Sequence, residues 1–216
     1  MNSVVLMADP RVTSIPVADC GEPLVDVRSS AALRVDHRLA DEDGDWLMLR
    51  QDVLVRLEVA AQRLPSGTRF LFVEGYRPPA LQRRYFEDYS AELASARPQL
   101  PAPEVRQLAS RFVSPPEIAP HSAGAAVDLT LCSDDGVELD LGTAINANPE
   151  VSDGACYTAS PAISPLARRN RSLMSSALLA AGLVNYPTEW WHWSYGDRYW
   201  ALTTGRPAAL YGSLTR

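Results

Sequence analysis

The chain has 216 residues, 46% hydrophobic and 21% charged, with 26 acidic residues against 20 basic ones and a formal net charge of −6. That length supports one well-buried domain or at most two small ones, and the composition is that of an ordinary globular protein. No apolar run approaches the ~20 residues of a membrane helix, and the acidic balance argues against a nucleic-acid partner.

Every basic residue is arginine. Schiff-base chemistry, a phosphate-loop lysine and a Ser–Lys dyad are thereby excluded. Cys20, Cys132 and Cys156 are widely spaced and form no CxxC, which speaks against a thiolate zinc cluster. Residues 1–10 lack the basic and apolar regions of a secretory signal. The expected compartment is the reducing cytoplasm, with no membrane partner.

Residues 1–45 read as an irregular N-terminal wrap with one or two short strands, broken by Pro10, Pro16 and Pro23 and closed by an acidic turn at Asp41, Glu42, Asp43 and Asp45. The spacing of Leu47, Leu54, Leu57, Ala61 and Leu64 predicts a helix over 46–64, stopped by Pro65-Ser66-Gly67. Residues 69–74 are a nearly continuous apolar run, short enough for a buried strand, which Gly75-Tyr76-Arg77-Pro78-Pro79 breaks. A helix follows over 79–96, then a proline linker, then a short helix marked by Val105, Leu108, Ala109 and Phe112.

Residues 125–131 alternate, with Val127, Leu129 and Leu131 on one face and Ala126, Asp128 and Thr130 on the other. Asp134-Asp135-Gly136 suggests a hairpin turn, with 137–141 returning as a strand and 146–160 as loop. Ser164-Pro165 opens a helix that Gly182 closes. Residues 190–195 and 199–202 read as a closing antiparallel pair around Gly196-Asp197. Helices and hairpins are segregated, so the predicted class is α+β: a single compact domain over 1–216 with a central antiparallel sheet flanked by helices.

Two of the three histidines lie in loaded contexts. His121 follows Pro120 and precedes Gly124 and Asp128; His192 stands among Trp190, Trp191 and Trp193, three residues after Glu189. An aspartate between Val127 and Leu129 on a core strand needs a partner, because an unpaired buried carboxylate costs several kcal/mol. A divalent metal and an arginine are the two candidates. His192 read alone fits a core histidine as well as a ligand.

Taken together, His121, Asp128 and His192 have the composition of an open catalytic zinc site. Glu189, on the loop entering the last strand, suits the base that such a site needs. Arg77, on the turn that ends the strand over 69–74, suits either a structural ion pair or the cation that meets charge developing on a carbonyl. The tryptophans pack the core and wall the site.

Three segments in this order resemble the zinc D,D-peptidase family M15, in its VanX-type D-alanyl-D-alanine dipeptidase branch. They are Glu74-Gly75-Tyr76-Arg77-Pro78, the run from His121-Ser122 through Gly124 and Ala126 to Asp128-Leu129-Thr130-Leu131, and Glu189-Trp190-Trp191-His192. The resemblance covers roughly 47–211. It implies a compact α+β domain of the zinc D,D-peptidase/Hedgehog-like fold, one Zn2+ per chain on His121, Asp128 and His192, Glu189 as general base and acid, Arg77 as transition-state stabiliser, and a small peptide substrate. Tyr76, Ser122, Asn146 and Trp191 are further candidate substrate contacts.

The pattern departs in three places. Residues 20–45 show no equivalent of the branch's amine-holding tyrosine. Asn146 stands where the branch has an amine-binding aspartate. Ala119-Pro120 stands where serines are usual. The expected reaction is hydrolysis of D-alanyl-D-alanine or a related D-amino-acid dipeptide by metal-activated water. The alternatives are a D,D-carboxypeptidase-like hydrolase of N-blocked, longer or specialised-metabolite peptides, and a non-catalytic zinc-binding module.

Overall fold

The structure, a computed structural model, describes residues 4–214. In chain order the elements are α1 (Pro10–Thr13), β1 (Leu24–Asp26), β2 (Leu33–Val35), β3 (Met48–Arg50), α2 (Gln51–Ala61), β4 (Thr68–Glu74), α3 (Pro79–Ala96), α4 (Ala102–Ala109), β5 (Ala126–Ser133), α5 (Pro165–Ala180), β6 (Val184–Asn185), β7 (His192–Ser194) and α6 (Arg198–Thr204). The class is α+β. A five-stranded sheet runs β2-β4-β5-β7-β6, and β1 and β3 form a separate ribbon. The large sheet is antiparallel except at its β2 edge, which joins β4 in parallel.

β4 and β5 are the buried centre. Phe70, Phe72, Val127, Leu129 and Leu131 pack into one core with Leu54 and Leu57 of α2 and Met174 and Leu178 of α5. α3 and α4 enclose a smaller apolar cluster of Phe86, Tyr89, Leu93, Val105, Ala109 and Val113. The alternation along β5 sends Asp128 to the face opposite Val127 and Leu129, yet Asp128 is buried too.

The structure redraws three segments. Residues 46–50 keep the apolar spacing of a helix, but their backbone is committed elsewhere. Trp46 and Met48 carbonyls accept from the N–H groups of Gly75 and Tyr76, both at 2.7 Å, and the Arg50 N–H donates to Gly124 carbonyl at 2.9 Å. The helix therefore begins only at Gln51. The strand expected over 137–141 contracts to one bridge, Cys132 with Glu138.

Residues 199–202 are helical, because the Asp197 carboxylate accepts from Tyr199 and Trp200 N–H and caps α6. β7 finds its partners in β5 and β6 instead. The N-terminal stretch, outside residues 1–3, contributes α1, β1 and β2, and β2 extends the main sheet.

Arg50 gathers the chain around the segment that follows His121. Its side chain, 1% exposed, donates from Nε to Ala123 carbonyl at 2.9 Å and from Nη2 to Asp19 at 2.9 Å and Gly212 carbonyl at 3.3 Å. Nη1 donates to Glu22 carbonyl. Leu214 N–H adds a bond to Ser122 carbonyl at 2.8 Å.

Gly75 is equally constrained. A Cβ there would lie 2.4 Å from Met48 carbonyl oxygen and 3.0 Å from Leu49 Cδ2. Gly75→Ala is expected to destabilise the fold by about 1–3 kcal/mol, the usual cost of overpacking a close contact. Urea unfolding measures it, and an unchanged midpoint would contradict this account of the turn.

Candidate active site

Asp128 and His192 face each other across β5 and β7, and Glu74 of β4 is the register partner of Asp128 on its other side, just past an irregularity in the β4 ladder. Three neighbouring strands thus present three polar side chains in one row. His121 comes from a single 3-10 turn after Pro120. This turn ends at Gly124, whose φ of 65° is left-handed backbone that favours glycine.

His121 Nδ1 lies 2.6 Å from Gly75 carbonyl oxygen and donates to it, which leaves the Nε2 lone pair directed at Asp128 and His192. The three facing atoms form a tight triangle. His192 Nδ1 is 3.0 Å from Asp128 Oδ1 and 3.1 Å from His121 Nε2, and His121 Nε2 is 3.3 Å from Asp128 Oδ1. All three residues are buried.

Two observations test whether an ion fits there. A tetrahedral zinc with bonds of about 2.0–2.1 Å sets its ligand atoms roughly 3.3 Å apart, close to each side of this triangle. Charge balance gives the second. Glu74, Asp128 and Glu189 place three carboxylates beside the single guanidinium of Arg77. Ionised, they leave two negative charges in a buried place, which one divalent cation neutralises. The residues fit the metal.

Glu189 stands on the turn between β6 and β7, held by its N–H to Tyr186 carbonyl at 2.9 Å. Its carboxylate approaches His192 Nδ1 to 3.9 Å and accepts no hydrogen bond among the described residues. Burial, and then the charge of Asp128, push the Glu189 carboxyl well above the usual range against the pull of Arg77. Burial opposes the ionised form of Asp128 as well, but His121 and His192 outweigh it and hold that carboxyl far below the usual range. Burial lowers His192 against the hydrogen bond and charge of Asp128.

Arg77 donates from Nε to Glu74 at 2.7 Å, from Nη2 to the other Glu74 oxygen, and from Nη1 to Gln82 Oε1 at 2.8 Å. Burial disfavours its charge, but Glu74 more than compensates and keeps it protonated.

His121, Asp128, His192, Glu189, Arg77 and Asn146 all line one cavity of about 340 Å³. Tyr76, Ser122 and Trp191 do not. Tyr76 Oη donates to Leu214 carbonyl at 3.0 Å, and Ser122 Oγ donates to Arg77 carbonyl at 2.9 Å. Trp191 is 1% exposed in the core. These three brace the segments that hold the site.

The opposite wall, which sequence reasoning did not single out, is the face of α3 bearing Gln82, Tyr85, Asp88, Tyr89 and Glu92. Its i, i+3, i+7 spacing was available in the sequence, but nothing there said that this face meets the cavity.

Two imidazoles and a carboxylate in a triangle, beside a buried acid and a guanidinium, define a mononuclear hydrolytic metal centre. The family model described as D-ala-D-ala dipeptidase matches residues 25–205, and the chain belongs to that family, peptidase M15, whose members are zinc metallopeptidases.

A D-alanyl-D-alanine dipeptidase of Synechocystis sp. is 30% identical over 220 residues, 87% of each chain. One of Escherichia coli is 38% identical over 72 residues, 33% of this chain and 35% of that one. Among solved structures, the LD-carboxypeptidase LdcB aligns at 17% identity over 87% of this chain and 76% of its own, with a TM-score of 0.44. A variant of the vancomycin-resistance D,D-pentapeptidase VanY in complex with Zn(II) aligns at 14% identity over 88% and 90%, with a TM-score of 0.39.

Titration of metal-free protein with Zn2+ should show one ion per chain. At a free concentration about 1,000 times Kd, the ion should stabilise the fold by about 4 kcal/mol. His192→Ala should lose that gain. A Tm that ignores Zn2+ in the unaltered protein would rule out the proposed ligand set.

Proposed function

We propose that this protein hydrolyses the peptide bond of D-alanyl-D-alanine or a closely related D-amino-acid dipeptide. The observation that carries this reading is the juxtaposition, in one cavity, of the His121–Asp128–His192 triangle, the buried carboxylate of Glu189 and the guanidinium of Arg77. His121, Asp128 and His192 hold the ion, which when bound supplies an acidified water and a Lewis acid.

Glu189 takes the proton of the attacking water on its carboxylate and delivers it to the nitrogen of the leaving amine. Its carboxylate, 3.9 Å from His192 Nδ1 and accepting no hydrogen bond among the described residues, is free to take that proton. Arg77, already fixed by Glu74, turns its remaining N–H donors to the carbonyl oxygen as negative charge develops there. No helix among the described residues is long and apolar enough to cross a membrane. The compartment we propose for it is the reducing cytoplasm.

A second reading is favoured by the shape and lining of the cavity. Asn146, a neutral amide with φ of 63°, lines it at the position where the resemblance implies an amine-binding aspartate. The α3 wall continues from Gln82 to Glu92, about 15 Å at the helical rise, whereas successive residues of a peptide are ~3.8 Å apart. N-blocked or longer D-alanyl peptides would fill that length better than a dipeptide.

Alanine release from D-Ala-D-Ala, its N-acetyl derivative and a D-Ala-D-Ala-ended tripeptide tests both readings. Glu189→Ala should lower kcat by about 10²–10⁴ on whichever substrate is cleaved, with zinc still bound. Turnover undiminished in Glu189→Ala would sink the assigned mechanism, and turnover of only the blocked or longer peptides would select the second reading.

A further inference from the structure

Gln82 lines the cavity, is 1% exposed, and has no task in the chemistry proposed above. It stands on the first turn of α3 with its amide fixed at both ends. Oε1 accepts from Arg77 Nη1 at 2.8 Å, and Nε2 donates to Ser114 carbonyl at 2.7 Å. The partners decide which end is oxygen. A flipped amide would set N–H against the guanidinium and oxygen against the carbonyl.

The geometry around Arg77 gives this contact its meaning. Glu74 grips the guanidinium through Nε and Nη2, along one edge. A planar group held along one edge can still tilt about the line joining its two bonds. Gln82 holds Nη1, the nitrogen outside that edge, and so removes the tilt. The Tyr85 ring, centred 5.1 Å from Cζ, covers the group further. Three of the five guanidinium N–H donors are thereby committed, and one on each terminal nitrogen is left.

We propose that Gln82 is a positioning residue. It sets the plane of Arg77 so that those two remaining donors face the substrate carbonyl, and it does so without adding charge. This rests on the reading of Arg77 given above. A carboxylate at position 82 would put a second negative charge against Arg77 and an acceptor against Ser114 carbonyl; the amide avoids both.

Gln82→Met preserves most of the volume and removes both bonds. On the substrate that the wild-type protein cleaves, kcat should fall about tenfold, the scale of one well-placed hydrogen bond, with KM and zinc affinity within about twofold. In an Arg77→Lys background the same substitution should change kcat by less than about twofold, because an ammonium has no plane to set.

The side-chain N–H resonances of Arg77 give a readout independent of turnover: hindered rotation about Nε–Cζ in the wild type, and faster exchange in Gln82→Met. An undiminished kcat, an equal loss in the Arg77→Lys background, or Arg77 resonances unaltered by the substitution overturns the proposal. If the wild-type protein cleaves no D-alanyl peptide, the functional reading fails and the Arg77 resonances alone decide this one. Should Gln82→Met not fold, Gln82→Asn, which withdraws the oxygen from Arg77 by one methylene, takes its place under the same criteria.

Discussion

The pairing of Asp128 with His192 across β5 and β7 is the constraint on which the site depends. Directly opposed residues of an antiparallel pair project to the same face with Cβ atoms about 5 Å apart, which puts an imidazole against a carboxylate without further design. A slip of one residue would send His192 to the opposite face and bring Trp193 or Trp191 to the carboxylate. The apolar residues that prevent this slip are the tryptophans themselves, each 1% exposed or less. The core on one side of β7 therefore sets the polar geometry on the other.

Around that pair the charges are arranged so that few are free to move. Glu74 is occupied with Arg77, Asp128 with two histidines, and of these three buried carboxylates Glu189 alone has no hydrogen-bond donor among the described residues. The excess of buried negative charge is costly without a counter-ion. A site of this kind is poised for a divalent cation; without one, burial and the charge of Asp128 push the Glu189 carboxyl well above the usual range.

Much of this was legible in the sequence, and the limits have physical causes. His121, Asp128, His192, Glu189 and Arg77 could be singled out because each is a polar residue in a place where composition demands a reason: a carboxylate in an apolar strand, a histidine among tryptophans, an arginine on a proline-stiffened turn. The structure brings all five to one cavity.

Residues 46–50 and 199–202 were misread because their conformation is decided by partners far away in sequence or by one cap. Backbone groups of Gly75, Tyr76 and Gly124 claim the first segment, and the Asp197 carboxylate fixes the second. Tyr76, Ser122 and Trp191 lie beside Arg77, His121 and His192 in sequence, yet their side chains face the scaffold, since neighbours along a chain point in different directions. The α3 wall was hidden for the opposite reason: an amphipathic pattern tells that a face is partly covered, not what covers it.

The buried Arg50 also sets how damage would travel through the molecule. It ties Asp19, Glu22 and Gly212 to the turn that presents His121, so segments 193 residues apart in sequence meet at one side chain. Loosening either segment would loosen that turn, and with it one of the three ligands.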